Sequence, residues 1–180
     1  MGTLAQRFVH LLASIFICGG TLTAFAANAH QQAITATVIG ETIQKVGFRA
    51  TIQKQAIRYN LAGYVRNNSD GTVGVGLQGD EDRIAKALEA ISAGNKKSSK
   101  SNIIAETPAA LDPNLKTFTV FGWTSRSRNI LTPYDLVFDL RPANNEISGE
   151  EAEAIWNRIA KSTLRGEDLA KFMNLNNVEE

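Results

Sequence analysis

Arg49 is the residue around which chemistry could be built. It closes the run Ile43-Gln44-Lys45-Val46-Gly47-Phe48-Arg49. Before the run, Ile34, Ala36 and Val38 alternate with Thr35 and Thr37; after it, Ile52, Ala56 and Tyr59 recur at helical spacing. Alternation predicts a half-buried strand, and a 3.6-residue period predicts a helix. The run is therefore a strand-to-helix turn with an arginine where the helix begins. Free N–H groups and the positive end of the dipole at a helix start favour a bound anion. A guanidinium beside them grips phosphate or carboxylate through two parallel hydrogen bonds. The same spacing also suits an arginine that is simply exposed at a helix start.

What is missing narrows the chemistry further. Met1 to Arg7 carries one positive charge and no acid, Phe8 to Phe25 is mostly apolar, and Ala24-Phe25-Ala26 and Ala27-Asn28-Ala29 are small-x-small sites. That is the layout of a secretory signal peptide, with cleavage expected after Ala29 or, failing that, Ala26. The expected location is periplasmic or secreted, without stable membrane association once the leader is gone. Cleavage removes the only cysteine, Cys18, and one of the two histidines, leaving His30 and a balance of 18 basic against 18 acidic residues. A Ser-His or Cys-His nucleophile pair and a Cys/His zinc site then lack their parts. No G-x-x-x-x-G-K-[ST] loop is present, and no G-x-G-x-x-G follows a strand. The near-neutral charge gives no reason to expect a nucleic-acid partner. No metal or cofactor is called for, and any chemistry must run on Arg, Lys, amides, hydroxyls or carboxylates.

The elements that must position Arg49 follow from periodicity. A helix is predicted from about Arg49 to Tyr59, a strand over Leu61 to Asn67, a turn at Asn68-Ser69-Asp70-Gly71 and a strand over Thr72 to Gln78. Asp-Gly between alternating segments favours a tight hairpin. Asp80 to Ala93 is a second helix, with Ile84, Leu88 and Ile91 on one stripe, acids in its first turn and Gly94 at its end. Asn95 to Asn102, with Lys96, Lys97 and Lys100, reads as a solvated polar loop. Ile103 to Ala105 and Lys116 to Phe121 read as two further strands. This order predicts an α+β domain of the ferredoxin-like βαββαβ type, an antiparallel sheet with two helices on one face. Residues 124–180 are expected to form a mainly helical extension to the domain at 30–123. It holds a strand at Leu136 to Leu140, a helix opened by the capping box Ser148/Glu151, and a last helix around Glu167 to Met173. The apolar stripe Ala152, Ile155, Trp156 and Ile159 must pack on something, most simply the same domain.

Two motifs carry a resemblance. Ile43-Gln44-Lys45-Val46-Gly47-Phe48-Arg49 resembles the acylphosphatase signature V-Q-G-V-x-F-R, and Gly63-Tyr64-Val65-Arg66-Asn67 resembles its second signature, G-x-V-x-N. Asp70-Gly71-Thr72-Val73 and Gln78-Gly79 are similar to the family's following run, and the 18-residue separation of Arg49 and Asn67 is the family's. The similarity covers roughly residues 33 to 123. It implies hydrolysis of the carboxyl-phosphate bond of an acyl phosphate, with inorganic phosphate as a second ligand. Arg49 would bind the phosphoryl oxygens, the stretch Gln44, Lys45, Val46, Gly47 and Phe48 would complete the phosphate cradle through its N–H groups, and the Asn67 carboxamide would hold the attacking water.

The chain departs from the family at two glycine positions, Glu41 and Lys45. Glycine permits positive φ and close approach of backbone to ligand, and Glu41 would repel a phosphate if it faced the loop. The alternative is a catalytically degenerate module of the same fold, binding an anion or a protein partner through its C-terminal helices.

Overall fold

The computed structural model describes residues 30–100, 102–125 and 130–163. The proposed signal peptide and the expected helix at Glu167 to Met173 lie outside them. The elements are β1 (Gln31–Ile39), α1 (Phe48–Tyr59), β2 (Ala62–Asn67), β3 (Val73–Asp80), α2 (Glu81–Ala93), β4 (Ile103–Pro108), β5 (Thr117–Ser125), β6 (Ile130–Asp139) and α3 (Gly149–Thr163).

Each forms for a reason visible in its residues. In β1 the alternation buries Ile34, Ala36 and Val38. Helix α1 turns Phe48, Ile52, Ala56 and Tyr59 inward, and it stops at Asn60, which takes a left-handed φ of 53°. Asparagine tolerates that conformation better than most residues. The Asn60 side chain also exchanges two hydrogen bonds with the Arg141 backbone, donating at 3.1 Å and accepting at 2.8 Å. Helix α3 starts where its capping residue lies, with the Glu151 N–H donating to Ser148 Oγ at 3.0 Å.

The sheet runs β4-β1-β3-β2-β5-β6. The βαββαβ part, β4-β1-β3-β2, is antiparallel throughout, as expected. The expectation fails for β5, which pairs parallel to β2 and makes the sheet mixed. The reason is the connection after β4, which crosses one end of the sheet from one edge toward the other. Gln78 pins it there, its amide donating to Asp112 O at 2.7 Å and accepting from the Asp112 N–H at 2.8 Å.

All three helices cover one face, with α1 between α2 and α3. The division at residue 123 does not describe this packing. Strand β5 runs past it to Ser125, β6 adds a sixth strand to the same sheet, and Phe118, Leu136, Ala152 and Trp156 are buried in one continuous core. The apolar stripe of α3 is therefore occupied within the domain rather than presented to a partner. Strands β1, β2 and β5 run in the same direction, so their C-terminal ends meet at one end of the sheet. The run before Arg49 leaves from the first of these ends, and Asn67 stands on the second.

Candidate functional site

The loop between β1 and α1 is shaped by two left-handed residues, Lys45 at φ 64° and Gly47 at φ 73°. Alternating left- and right-handed backbone turns successive N–H groups toward one side, making an anion-binding concavity. Among the described residues, the N–H groups of Lys45, Val46, Gly47 and Phe48 have no protein acceptor. The lysine thus adopts the conformation that the family's glycine would supply, at a cost of about 1–2 kcal/mol. Gly47 caps α1 without a side-chain hydrogen bond, and no acid stands in the first helical turn to compete for the N–H groups.

Other side chains hold the loop in place. Gln44 donates from Nε2 to the carbonyls of Asn68 (2.9 Å) and Thr72 (2.8 Å), tying the loop to the β2–β3 turn. Its side chain is engaged there and is not part of the cavity wall. Asn95 donates from Nδ2 to Thr51 Oγ1 at 3.0 Å, and the Ser99 N–H donates to Thr42 O at 2.9 Å. These bonds fasten the α2–β4 loop to the cradle.

Arg49, in the first turn of α1, is half-buried. Its Nη1 donates to the carbonyls of Phe121 and Gly122, the latter at 2.9 Å, and its guanidinium carbon lies 5.7 Å from the centre of the Trp123 ring. Two of the five guanidinium N–H groups are thereby used. Those on Nε and Nη2 remain for the forked grip on an oxyanion. Burial lowers the Arg49 pKa from its ordinary value, yet a guanidinium keeps its charge in proteins. Asn67, the last residue of β2, has a buried Oδ1 with no hydrogen-bond partner among the described residues. A buried acceptor left open is uncommon and calls for an explanation.

Lys45, Val46, Gly47, Phe48, Arg49 and Asn67 all line one cavity of about 710 Å³, and among the described residues no carboxylate lines it. Glu41 is exposed and lines a separate depression with Ser99 and Lys100, so the feared repulsion is not built in. Two charged cavity residues escape sequence reasoning, as do Phe121, Gly122, Trp123 and Thr124. Arg66 lies beside Asn67 at the strand end, and Lys97 comes from the loop read as merely solvated. No spacing signal identifies Lys97, because its place depends on the long-range Asn95–Thr51 bond. Among the described residues no group of three or more His, Cys, Asp and Glu side chains could hold a metal ion. Four cations around an N–H cradle, with the Asn67 carboxamide beside it, suit a phosphorylated anion and a water molecule.

The acylphosphatase family model matches residues 34–120. The acylphosphatase of Colwellia psychrerythraea is 54% identical over 50 residues, which is 28% of this chain and 56% of that protein. The acylphosphatase of Bacillus licheniformis is 35% identical over 75 residues, 42% of this chain and 83% of that protein. Among solved structures, acylphosphatase from Bacillus subtilis aligns at 29% identity and a TM-score of 0.45, over 49% of this chain and 96% of that one. The chain thus spans little more than half of the first relative and most of the second, and on the match to the second it belongs to the acylphosphatase family.

Proposed function

We propose that this protein hydrolyses the carboxyl-phosphate bond of acyl phosphates in the cavity between Arg49 and Asn67. One observation carries the reading. An arginine with Nη1 tied back and Nε and Nη2 left over shares a cavity with an unsatisfied N–H cradle and the Asn67 side chain. The phosphoryl oxygens accept from the cradle N–H groups and from Arg49. The Asn67 carboxamide hydrogen-bonds the water and turns the water's lone pair toward phosphorus. The water oxygen bonds to phosphorus as the bond between phosphorus and the carboxyl oxygen breaks. The carboxylate leaves with the electron pair, and the water's proton passes to solvent or phosphate. A carboxylate is stable as an anion near neutral pH, with a pKa of about 4, so no general acid is needed. What remains is positioning and stabilisation of charge, which dominate phosphoryl transfer. Lys45, Arg66 and Lys97 concentrate anions at the mouth.

The test is release of inorganic phosphate from benzoyl phosphate by the purified protein, without added metal. Arg49→Ala should abolish nearly all turnover, and Arg49→Lys should not restore it, because a point charge does not replace a planar fork. Turnover by Arg49→Ala equal to that of the unmodified protein would end this reading of the site. Export through residues 1–29 belongs to the same proposal, and is tested by the N-terminal residue of protein recovered outside the cytoplasm.

A further inference from the structure

Nothing in the family-matched residues explains what holds the two carbonyls that hold Arg49. They sit in an irregularity of β5. Val120 pairs with Leu136 and Trp123 with Tyr134, so β5 advances three residues where β6 advances two. The extra residue is a bulge at Phe121–Gly122, with Gly122 at a left-handed φ of 59°. Bulges re-aim backbone and side chains beside sites, and this one aims two successive carbonyls at a single guanidinium nitrogen.

A bulged peptide has lost its ladder partner, and here a side chain replaces it. The Gly122 N–H donates to Asp135 Oδ1 at 2.9 Å. Asp135 belongs to β6, outside residues 34–120. Behind the bulge, Trp123 meets Trp156 of α3 edge to face, with ring centres 6.0 Å apart. Both supports of the arginine's seat therefore come from the segment that follows the family match.

We propose that Asp135 is a positioning residue for Arg49: by holding the Gly122 N–H it fixes the bulge, and the bulge's carbonyls fix the guanidinium with Nε and Nη2 facing the cavity. The segment from β6 to α3 is then part of the site's support and not only an addition to the sheet. This rests on the reading of Arg49 as the phosphoryl-binding group, but the contact chain itself stands without substrate.

The test compares Asp135→Ala and Asp135→Asn, each with and without Arg49→Ala. Three quantities are read: the nitrogen relaxation order parameter of the Arg49 Nε–H, inorganic phosphate affinity by titration, and kcat and KM for benzoyl phosphate. Asp135 is exposed, so Asp135→Ala should fold. It should lower the order parameter, weaken phosphate binding and reduce kcat/KM about tenfold, since a small misplacement of a binding group is known to cost up to about 100-fold. Asparagine offers an oxygen acceptor at the same place and should restore most of the loss. In the Arg49→Ala background, Asp135→Ala should weaken phosphate binding no further, because the two changes act through one group. An unchanged order parameter in Asp135→Ala overturns the proposal, as does a loss that adds in full to that of Arg49→Ala. A lowered order parameter in a protein whose unmodified form neither binds phosphate nor turns over benzoyl phosphate would uphold the positioning role and overturn the phosphoryl-binding reading.

Discussion

Lys45 combines a backbone liability with an electrostatic gain. Its left-handed φ of 64° costs about 1–2 kcal/mol relative to a right-handed residue. Glycine would remove that cost but gain about 0.4–1 kcal/mol of freedom in the unfolded chain. Lys45→Gly should therefore stabilise the fold by about 0–1.6 kcal/mol, seen as an equal or higher Tm. It also restores no conformation, because the loop already holds the shape that glycine would allow. What it removes is an exposed cation on the cavity wall. Phosphate affinity should fall in low salt, and the difference should shrink as salt rises and screens the charge. Titration at low and high ionic strength reads this, and a gain in affinity or turnover would mean that the lysine obstructs the cradle. At this scale the meeting of Arg49 and Asn67 in one cavity was legible in sequence through motif and separation. Lys97 was not, because a loop lysine has no period and its placement depends on a partner 44 residues from its neighbour Asn95.

At the scale of elements, the second motif joins a residue on the cavity wall, Asn67, to one that serves packing, Gly63. Gly63 has a φ of 138°, and a Cβ there would lie 2.0 Å from the carbonyl oxygen of Gly76 on β3. Backbone cannot yield as a side chain can. Gly63→Ala should cost at least about 1–3 kcal/mol, the usual range for overpacking, and lower Tm, with the lost stability visible even where substrate plays no part. A Tm equal to that of the unmodified protein would show that β2 and β3 tolerate separation. Elements with one buried face and clear punctuation were readable in advance. Helix α1 lies between the caps Gly47 and Asn60, and α2 has its acids at one end and Gly94 at the other. Strand β6 was foreseen only from Leu136, although it begins at Ile130. Pro133 and Asp135 interrupt its alternation, and an edge strand tolerates proline because one side of its ladder is unpaired. The parallel direction of β5 was hidden for a different reason. It depends on where the connection after β4 returns to the sheet, and no local period encodes that.

Taken as a whole, the molecule places the proposed site at one end of a six-stranded sheet and builds that end from distant parts of the chain. The cradle follows β1, Asn67 ends β2, the arginine's seat lies in β5, and a cation arrives from the loop before β4. The residues beyond the family match are joined to the rest along the covered face. Glu146 accepts from both Lys86 of α2 and Arg58 of α1, which holds its carboxyl below the ordinary glutamate value, the Lys86 hydrogen bond being the largest cause. The central claim is that this assembled end holds a water in line with phosphorus. Hydrolysis of benzoyl phosphate in heavy-oxygen water tests it most directly, with the unmodified protein and Asn67→Ala side by side. The heavy oxygen should appear in the released phosphate and not in the benzoate, because the attack is at phosphorus. Asn67→Ala should be slower by about 2.7–4 kcal/mol of barrier, the loss typical of removing one positioned polar group, with phosphate affinity nearly intact. Heavy oxygen recovered in benzoate, or an Asn67→Ala protein as fast as the unmodified one, would contradict a water held at phosphorus by Asn67.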